Sequence, residues 1–222
     1  MSIRVFIFAA LVVFSGFVSE AYPAEIIWSL YLKPYMNEGP VLSSSLQEGQ
    51  EFTIRDVHLT GGQTRCGDIL DDLEGTTFLI QQSPVNQPLE IRIILNVQAS
   101  TFENAGEIPT FLNISFGAYV NGRMEDNLRL STGSPMVMTI HNGNGLDNLL
   151  GKGGCSRGDN IKFVFYNGGK FVADGIKTYN SSSGLSAEIG RISTVVGGVG
   201  DDFGFPSNSK YNTWGKIKLL FQ

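Results

Sequence analysis

The stretch LEIRIILNV, residues 89–97, decides the fold class of this 222-residue chain. Its odd-numbered positions are all apolar, while Glu90, Arg92 and Asn96 stand at even-numbered positions. The stretch FLNISFGAYV, residues 111–120, alternates in the same way. Successive side chains of a β-strand point to opposite faces, so a period of two predicts strands with one buried face.

Further strands are predicted for much of the remaining chain. Asn121-Gly122 and Asn167-Gly168 separate apolar runs, and Asn-Gly tolerates the positive φ angles of a type I′ hairpin turn. The best helix signal, CGDILDDLEG, covers barely two turns. The sequence therefore predicts an all-β fold, a β-sandwich in preference to a barrel, with additional strands near 26–32, 52–59, 76–82, 136–141, 161–171, 185–195 and 214–221.

The N-terminal segment has the three-part layout of a secretory signal peptide. Arg4 precedes an apolar run over residues 5–18, and Ser19-Glu20-Ala21 supplies small residues at the cleavage positions. The apolar run is shorter than the ~20 residues that cross a bilayer. We expect residues 1–21 to be removed, residues 22–222 to form a single β-sandwich domain, and the product to be exported without a membrane span.

Charge and cysteine content narrow the function classes. The formal net charge is -5 and the charged residues are scattered, which argues against a nucleic-acid partner because such partners need clustered Lys and Arg. Cys66 and Cys155 are the two cysteines of an exported chain, so we expect them to form a disulfide.

Residue patterns typical of catalysis are weak. His58 and His141 each follow a predicted strand, and no serine lies in a G-x-S-x-G context. The adjacent acidic pairs, 71–72, 125–126 and 201–202, lie in turn-like surroundings where Asp caps backbone groups. The sequence thus predicts no catalytic residue, no metal site and no cofactor, and a hydrolase that uses two carboxylates is the least favoured hypothesis.

Two segments combine amides and acids with glycine or aromatic residues. IHNGNGLDN begins at Ile140, and DDFGFPSNSKYNTW covers residues 201–214. Planar amides and carboxylates hydrogen-bond sugar hydroxyls, and an aromatic face covers the apolar side of a sugar ring. An alternative hypothesis is therefore a secreted carbohydrate-binding β-sandwich that uses residues 141–148 and 201–214 as its binding loops.

The C-terminal stretch KIKLLFQ, residues 216–222, alternates again. Ile217, Leu219 and Phe221 share one face, and Lys216, Lys218 and Leu220 lie on the other. An exposed apolar edge strand invites aggregation, so this segment must pair with another strand. The pairing strand comes either from the same chain or from a partner, as in donor-strand complementation.

Together, these features make the chain resemble a bacterial chaperone–usher fimbrial subunit. The resemblance implies an immunoglobulin-like sandwich that is incomplete and is completed by a donated strand. It also implies that a periplasmic chaperone, an outer-membrane usher and neighbouring subunits contact Ile217, Leu219 and Phe221. The expected location is a fimbria on the cell surface, with a host glycan as a further ligand.

The strand that follows the signal peptide has two interpretations. Four residues alternate in AEIIWSLYLKP as a strand donated to a neighbouring subunit requires: Ile26, Trp28, Leu30 and Leu32. The same pattern suits the first strand of the chain's own sandwich. In that second interpretation the subunit fits the tip of a fibre, where it has no neighbour ahead of it to complete. The wide spacing of the cysteines likewise favours a minor or tip-associated subunit over a major one.

Overall fold

The computed structural model describes residues 23–33, 35–55, 70–96, 110–126, 128–131, 133–167, 169–200 and Phe203. These residues are mostly β-structure and form two sheets. In chain order the strands are β1 (Glu25–Lys33), β2 (Leu42–Gln47), β3 (Phe52–Thr53), β4 (Thr77–Ile80), β5 (Leu89–Asn96), β6 (Thr110–Val120), β7 (Arg123–Met124), β8 (Met136–His141), β9 (Ile161–Asn167), β10 (Lys170–Val172), β11 (Ile176–Ser181), β12 (Gly184–Ile189) and β13 (Thr194–Val199).

The larger sheet has the order β10-β9-β13-β6-β5-β1-β2. The short strand β7 also belongs to this sheet and pairs with β6. The smaller sheet has the order β11-β12-β8-β4-β3. An α-helix, α1, runs through Asn144–Lys152, and a 3₁₀ turn covers Tyr35–Glu38. The prediction of an all-β, two-sheet architecture is confirmed at this level.

A single large apolar core joins the two sheets. It receives the alternating residues of β1, β5 and β6 from the larger sheet and those of β4, β8 and β12 from the smaller one. In β5, for example, Leu89, Ile91, Ile93 and Leu95 are at most 1% exposed. The side chains on the other face of the strand, including Arg92, are only half-buried. The period-two pattern of residues 89–97 therefore identified the core face correctly.

Strand β1 differs from its neighbours in direction. It pairs antiparallel with β2, with Trp28 opposite Ser44. On its other side it pairs parallel with β5, so that Ile26 lies opposite Leu89 and Leu32 opposite Leu95. Among the described strands, every other pairing is antiparallel. The N-terminal strand is thus inserted between two strands of an otherwise antiparallel sheet.

One turn prediction is confirmed, and one strand prediction is wrong. Asn121 and Gly122 have φ angles of 50° and 74°, the positive values of a type I′ turn, and they connect β6 to β7. The run 185–195, predicted as one strand, is two strands in different sheets. The chain turns between them, where Gly190 N–H donates to Gly175 O and Ile192 N–H donates to Leu128 O. The segment between the two strands pairs through an isolated antiparallel bridge between Arg191 and Arg129, so the run is not one continuous strand.

Close packing explains one glycine of β13. A Cβ built on Gly197 would lie 2.6 Å from the ring of Phe111 and 2.9 Å from the ring of Phe163. Those two rings contact each other edge to face, with centroids 5.8 Å apart. Glycine at position 197 therefore leaves the space that these two aromatic rings occupy.

Candidate interaction sites

The four alternating residues of β1 are all deep in the core. Ile26, Trp28, Leu30 and Leu32 are 0–1% exposed. Trp28 stacks on Phe52 with ring centroids 5.7 Å apart and also contacts Phe78 at 6.2 Å. Phe52 and Phe78 belong to the smaller sheet, so β1 connects the sheets through an aromatic cluster. The structure places this strand within the chain's own fold, and its donation to another chain stays a prediction.

The indole of Trp28 has one unusual feature. Its Nε1–H is buried and has no hydrogen-bond partner in the part of the chain that the structure describes. Leaving such a donor unpaired costs roughly 1–3 kcal/mol. The stacking and burial of the ring must therefore outweigh this cost for tryptophan to stabilise the core at this position.

Several predicted residues lie outside the described part of the chain. These are the C-terminal contact residues Ile217, Leu219 and Phe221, together with His58 and Cys66. Cys155 is described and is buried, at 8% exposure, after the end of α1. Its disulfide with Cys66 therefore stays a prediction.

Residues 141–148, predicted as a sugar-binding loop, contain the first half of α1. Leu146, Leu149 and Leu150 anchor the helix in the core. Arg157 holds the polar residues around it, since its Nε donates to Asp147 Oδ1 at 2.5 Å and its Nη1 donates to Asn142 Oδ1 at 3.0 Å. The carboxylate and amide expected to meet a sugar are therefore already engaged within the chain. Of residues 201–214, only Phe203 is described, and it packs on Phe171 with ring centroids 4.7 Å apart.

A cavity of about 460 Å³ opens beside the first residues of β1. The loop from β4 to β5, with the sequence QQSPVNQP, supplies most of its wall. The cavity is lined by Pro23, Ala24, Glu25, Glu48, Gln82, Ser83, Val85, Asn86, Gln87 and Pro88. Among the residues that the structure describes, two carboxylates and three side-chain amides line this space, and none of the lining residues is Lys, Arg or His. Its volume lies within the ~300–1,000 Å³ typical of small-molecule sites.

Hydrogen bonds hold the walls of this cavity in place. Glu48 Oε2 accepts from Ser83 N–H at 2.7 Å, which joins the β2–β3 turn to the β4–β5 loop. The N–H of Gln82 donates to Ser134 Oγ at 2.8 Å. Asn121 Nδ2 donates to Gln87 Oε1 at 2.6 Å, which leaves the amide nitrogen of Gln87 as a donor. The β4–β5 loop, the carboxylate of Glu48 and the side chain of Gln87 are thus held by contacts within the chain.

The cavity and the Arg157 network lie at opposite ends of the smaller sheet. Ile80 pairs with Met136 at one end of β8, and His141 pairs with Gly184 at the other. Gln82 continues from the Ile80 end. A six-residue strand is about 17 Å long, so the two polar regions are separate sites. Sequence reasoning missed the cavity end, although two prolines bracketing polar residues in SPVNQP already indicated an ordered polar loop.

A cluster of charged and aromatic side chains lies on the outer face of the larger sheet. Arg92 forms two hydrogen bonds with Glu90, at 2.6 and 3.1 Å, and its guanidinium lies 3.8 Å from the ring centroid of Tyr119. The Glu90 hydrogen bonds raise the pKa of Arg92 above its usual value. The facing residue is Gly117, which leaves room for the Tyr119 ring. Tyr and Arg of this kind are frequent in protein interfaces.

Two of the three adjacent acidic pairs, 71–72 and 125–126, lie in the described part of the chain. Asp72 is 7% exposed, and it accepts from Lys152 Nζ at 2.5 Å and from Asn148 Nδ2 at 3.0 Å. It therefore ties the segment before β4 to α1. Glu125 and Asp126 are exposed beside a turn. Across the described residues, no group of His, Cys, Asp and Glu is suited to holding a metal ion.

Comparisons with known proteins give no family. The chain matches no protein-family model, no curated protein and no solved structure. Among the residues that the structure describes, no helix is both long and apolar enough to cross a membrane.

Proposed function

We propose that this chain is a structural or adhesive subunit of a bacterial surface fimbria, exported through the periplasm and without enzymatic activity. Assembly proceeds by strand complementation with a periplasmic chaperone, an usher and a neighbouring subunit. The immunoglobulin-like character of the sandwich and its completion by a donated strand are part of this proposal. The all-β two-sheet fold and the alternating C-terminal stretch support it.

The burial of β1 carries the proposal further, to a position in the fibre. All four of its core-facing residues are 0–1% exposed, and the strand has a partner on each side. A strand used in this way within its own sheet is not free to complete a neighbour. The chain therefore suits the end of a fibre, where it accepts a strand but donates none.

In this proposal the C-terminal stretch, residues 216–222, pairs as a strand with the partner. The alternation then assigns Ile217, Leu219 and Phe221 to the face that contacts the partner, and Lys216, Lys218 and Leu220 to the opposite face. An incomplete sandwich exposes an apolar edge and aggregates alone. The chaperone is expected to keep the chain soluble by covering that edge.

The test is co-production of the chain with the chaperone encoded next to it, followed by capture of the complex. Replacing Ile217, Leu219 and Phe221 with serine should abolish capture. A double Lys216→Ser, Lys218→Ser variant is the matched control on the opposite face and should be captured normally. A wild-type chain that is a stable monomer alone, melts cooperatively and ignores the chaperone would contradict the proposal.

A second candidate function is carbohydrate binding, and a specific observation favours it. The cavity beside β1 combines Glu25 and Glu48 with three side-chain amides. Carboxylates accept and amides both donate and accept, which matches sugar hydroxyls. In this hypothesis the binding site is the cavity, because the polar side chains at 142 and 147 are occupied by Arg157.

A further inference from the structure

We propose that the cavity beside β1 selects sugars by charge, accepting neutral and amino sugars and rejecting those that carry a carboxylate, with Glu48 as the selectivity-determining residue. This inference deepens the second proposed function and rests on it. It does not depend on strand complementation.

The charge of the cavity is one-sided. Glu25 and Glu48 both line it, and none of the lining residues in the described part of the chain is Lys, Arg or His. Two carboxylates that face one small space repel a third, and the repulsion is strong where surrounding protein reduces screening by water. Uronic and sialic acids carry that third charge, and neutral hexoses do not. The ammonium group of an amino sugar is attracted instead.

Glu48 is the fixed member of the pair. Its Oε2 accepts from the N–H of Ser83, and the residue is half-buried, so its carboxylate has a set position. Among the described residues no hydrogen-bond partner is found for its Oε1, so this oxygen is available to accept from a ligand. Glu25 is exposed and its carboxylate accepts from Ser45 Oγ at the rim. A charge held at a set position inside a site discriminates better than one at its edge.

The remaining lining groups suit a hydroxylated ring. Gln82, Asn86 and Gln87 are exposed to the space and present planar amides. Pro23, Val85 and Pro88 supply apolar surface for the C–H side of a sugar. Among the described lining residues no side chain is aromatic, so we expect weak binding of single sugars and a preference that is set mainly by polar and charged contacts.

The experiment is an NMR titration of the purified protein, in complex with its chaperone where the chain is not soluble alone, with three probes of one ring type: glucose, glucosamine and glucuronate, with galactose and mannose as further neutral probes. We expect at least one neutral probe and glucosamine to shift the side-chain amide signals of Gln82, Asn86 and Gln87. Glucuronate should bind about tenfold more weakly or not at all.

Glu48→Gln keeps the shape of the side chain and removes its charge, so it should reduce the discrimination between glucosamine and glucuronate. Glu74→Gln removes an exposed charge near α1 and should leave the discrimination unchanged. Absence of any shift with all five probes, equal binding of glucuronate, or shifts confined to the Arg157 region would each overturn the inference. Because chaperone capture is measured separately, a chain that assembles but binds no sugar refutes this inference alone.

Discussion

Ser29 on β1 and Ser43 on β2 face each other across the sheet, with their hydroxyl oxygens 3.1 Å apart. Glu48 N–H donates to Ala24 O at 2.9 Å. In this register the residue pairs that exchange backbone hydrogen bonds are therefore those with an even-numbered residue of β2. Ser29 and Ser43 therefore form a non-hydrogen-bonded pair, in which side chains approach most closely. Such a pair reports directly on whether β1 remains in its own sheet.

The first prediction uses this pair. A Ser29→Cys, Ser43→Cys variant should form a disulfide within one chain, because the two side chains already meet in the geometry that a disulfide requires. Non-reducing peptide mapping of purified fibres or of the soluble protein detects the bond. A Ser29→Cys, Ser44→Cys variant, in which the second cysteine points to the other face, is the control. Crosslinks between chains at positions 29 and 43 would show that β1 is exchanged.

The second prediction concerns Trp28. Trp28→Phe removes the unpaired indole N–H but keeps an aromatic ring stacked on Phe52, so we expect a loss of only about 1–2 kcal/mol. Trp28→Ala leaves a large cavity between the sheets and should cost about 3–5 kcal/mol. Denaturant unfolding of both variants gives the comparison. Equal losses of stability in the two variants would indicate that the indole N–H of Trp28 has a hydrogen-bond acceptor.

The third prediction compares two glycines of α1. A Cβ on Gly145 would lie 2.4 Å from the carbonyl oxygen of Asp72, whereas a Cβ on Gly151 meets nothing within 4 Å. Gly145→Ala should therefore destabilise the fold by about 1–3 kcal/mol. Gly151→Ala should stabilise it by up to ~1 kcal/mol because alanine favours the helix. Thermal unfolding should shift in opposite directions, and a parallel shift would contradict this packing of α1.

The fourth prediction is the disulfide between Cys66 and Cys155. We expect a tryptic map of the exported protein to contain the two cysteines in one linked peptide pair, which reduction separates. Closing so long a loop should stabilise the fold by roughly 4–5 kcal/mol. Cys66→Ser and Cys155→Ser should therefore lower the melting temperature to a similar extent, with little added by combining them. Recovery of a free thiol at both positions in the exported protein would refute the pairing.

The sequence predicted those features that depend on alternation and on local turn geometry. The core faces of β1, β5 and β6 follow from a period of two, and the Asn121 turn follows from residues that tolerate positive φ. The parallel partner of β1 could not be predicted, because register depends on contacts with Leu89 and its neighbours far along the chain. The helix α1 was missed because Gly145 and Gly151 lower its helix propensity, while three buried leucines stabilise it through packing.

The cavity was missed for a related reason. Glu25, Glu48 and Gln82 are distant in sequence, and only the pairing of the strands brings them together. Residues 141–148 have the amides and the carboxylate that sugar binding requires. Composition does not show, however, that Asn142 and Asp147 are hydrogen-bonded to Arg157. Polar residues in turns acquire a binding role only when the fold leaves them unsatisfied around a shared space.

The parallel pairing of β1 with β5 has a consequence for the timing of folding during synthesis. A chain synthesised from its N-terminus presents Ile26, Trp28, Leu30 and Leu32 first, yet Leu89 and the rest of β5 emerge much later. The β1–β2 hairpin alone is marginal in water. Until β5 is available, the apolar strand β1 lacks one of its two neighbours. Long-range pairings of this kind form slowly, and the exposed apolar surface makes the chain prone to aggregation. The earliest part of the chain to arrive is therefore among the last to be buried.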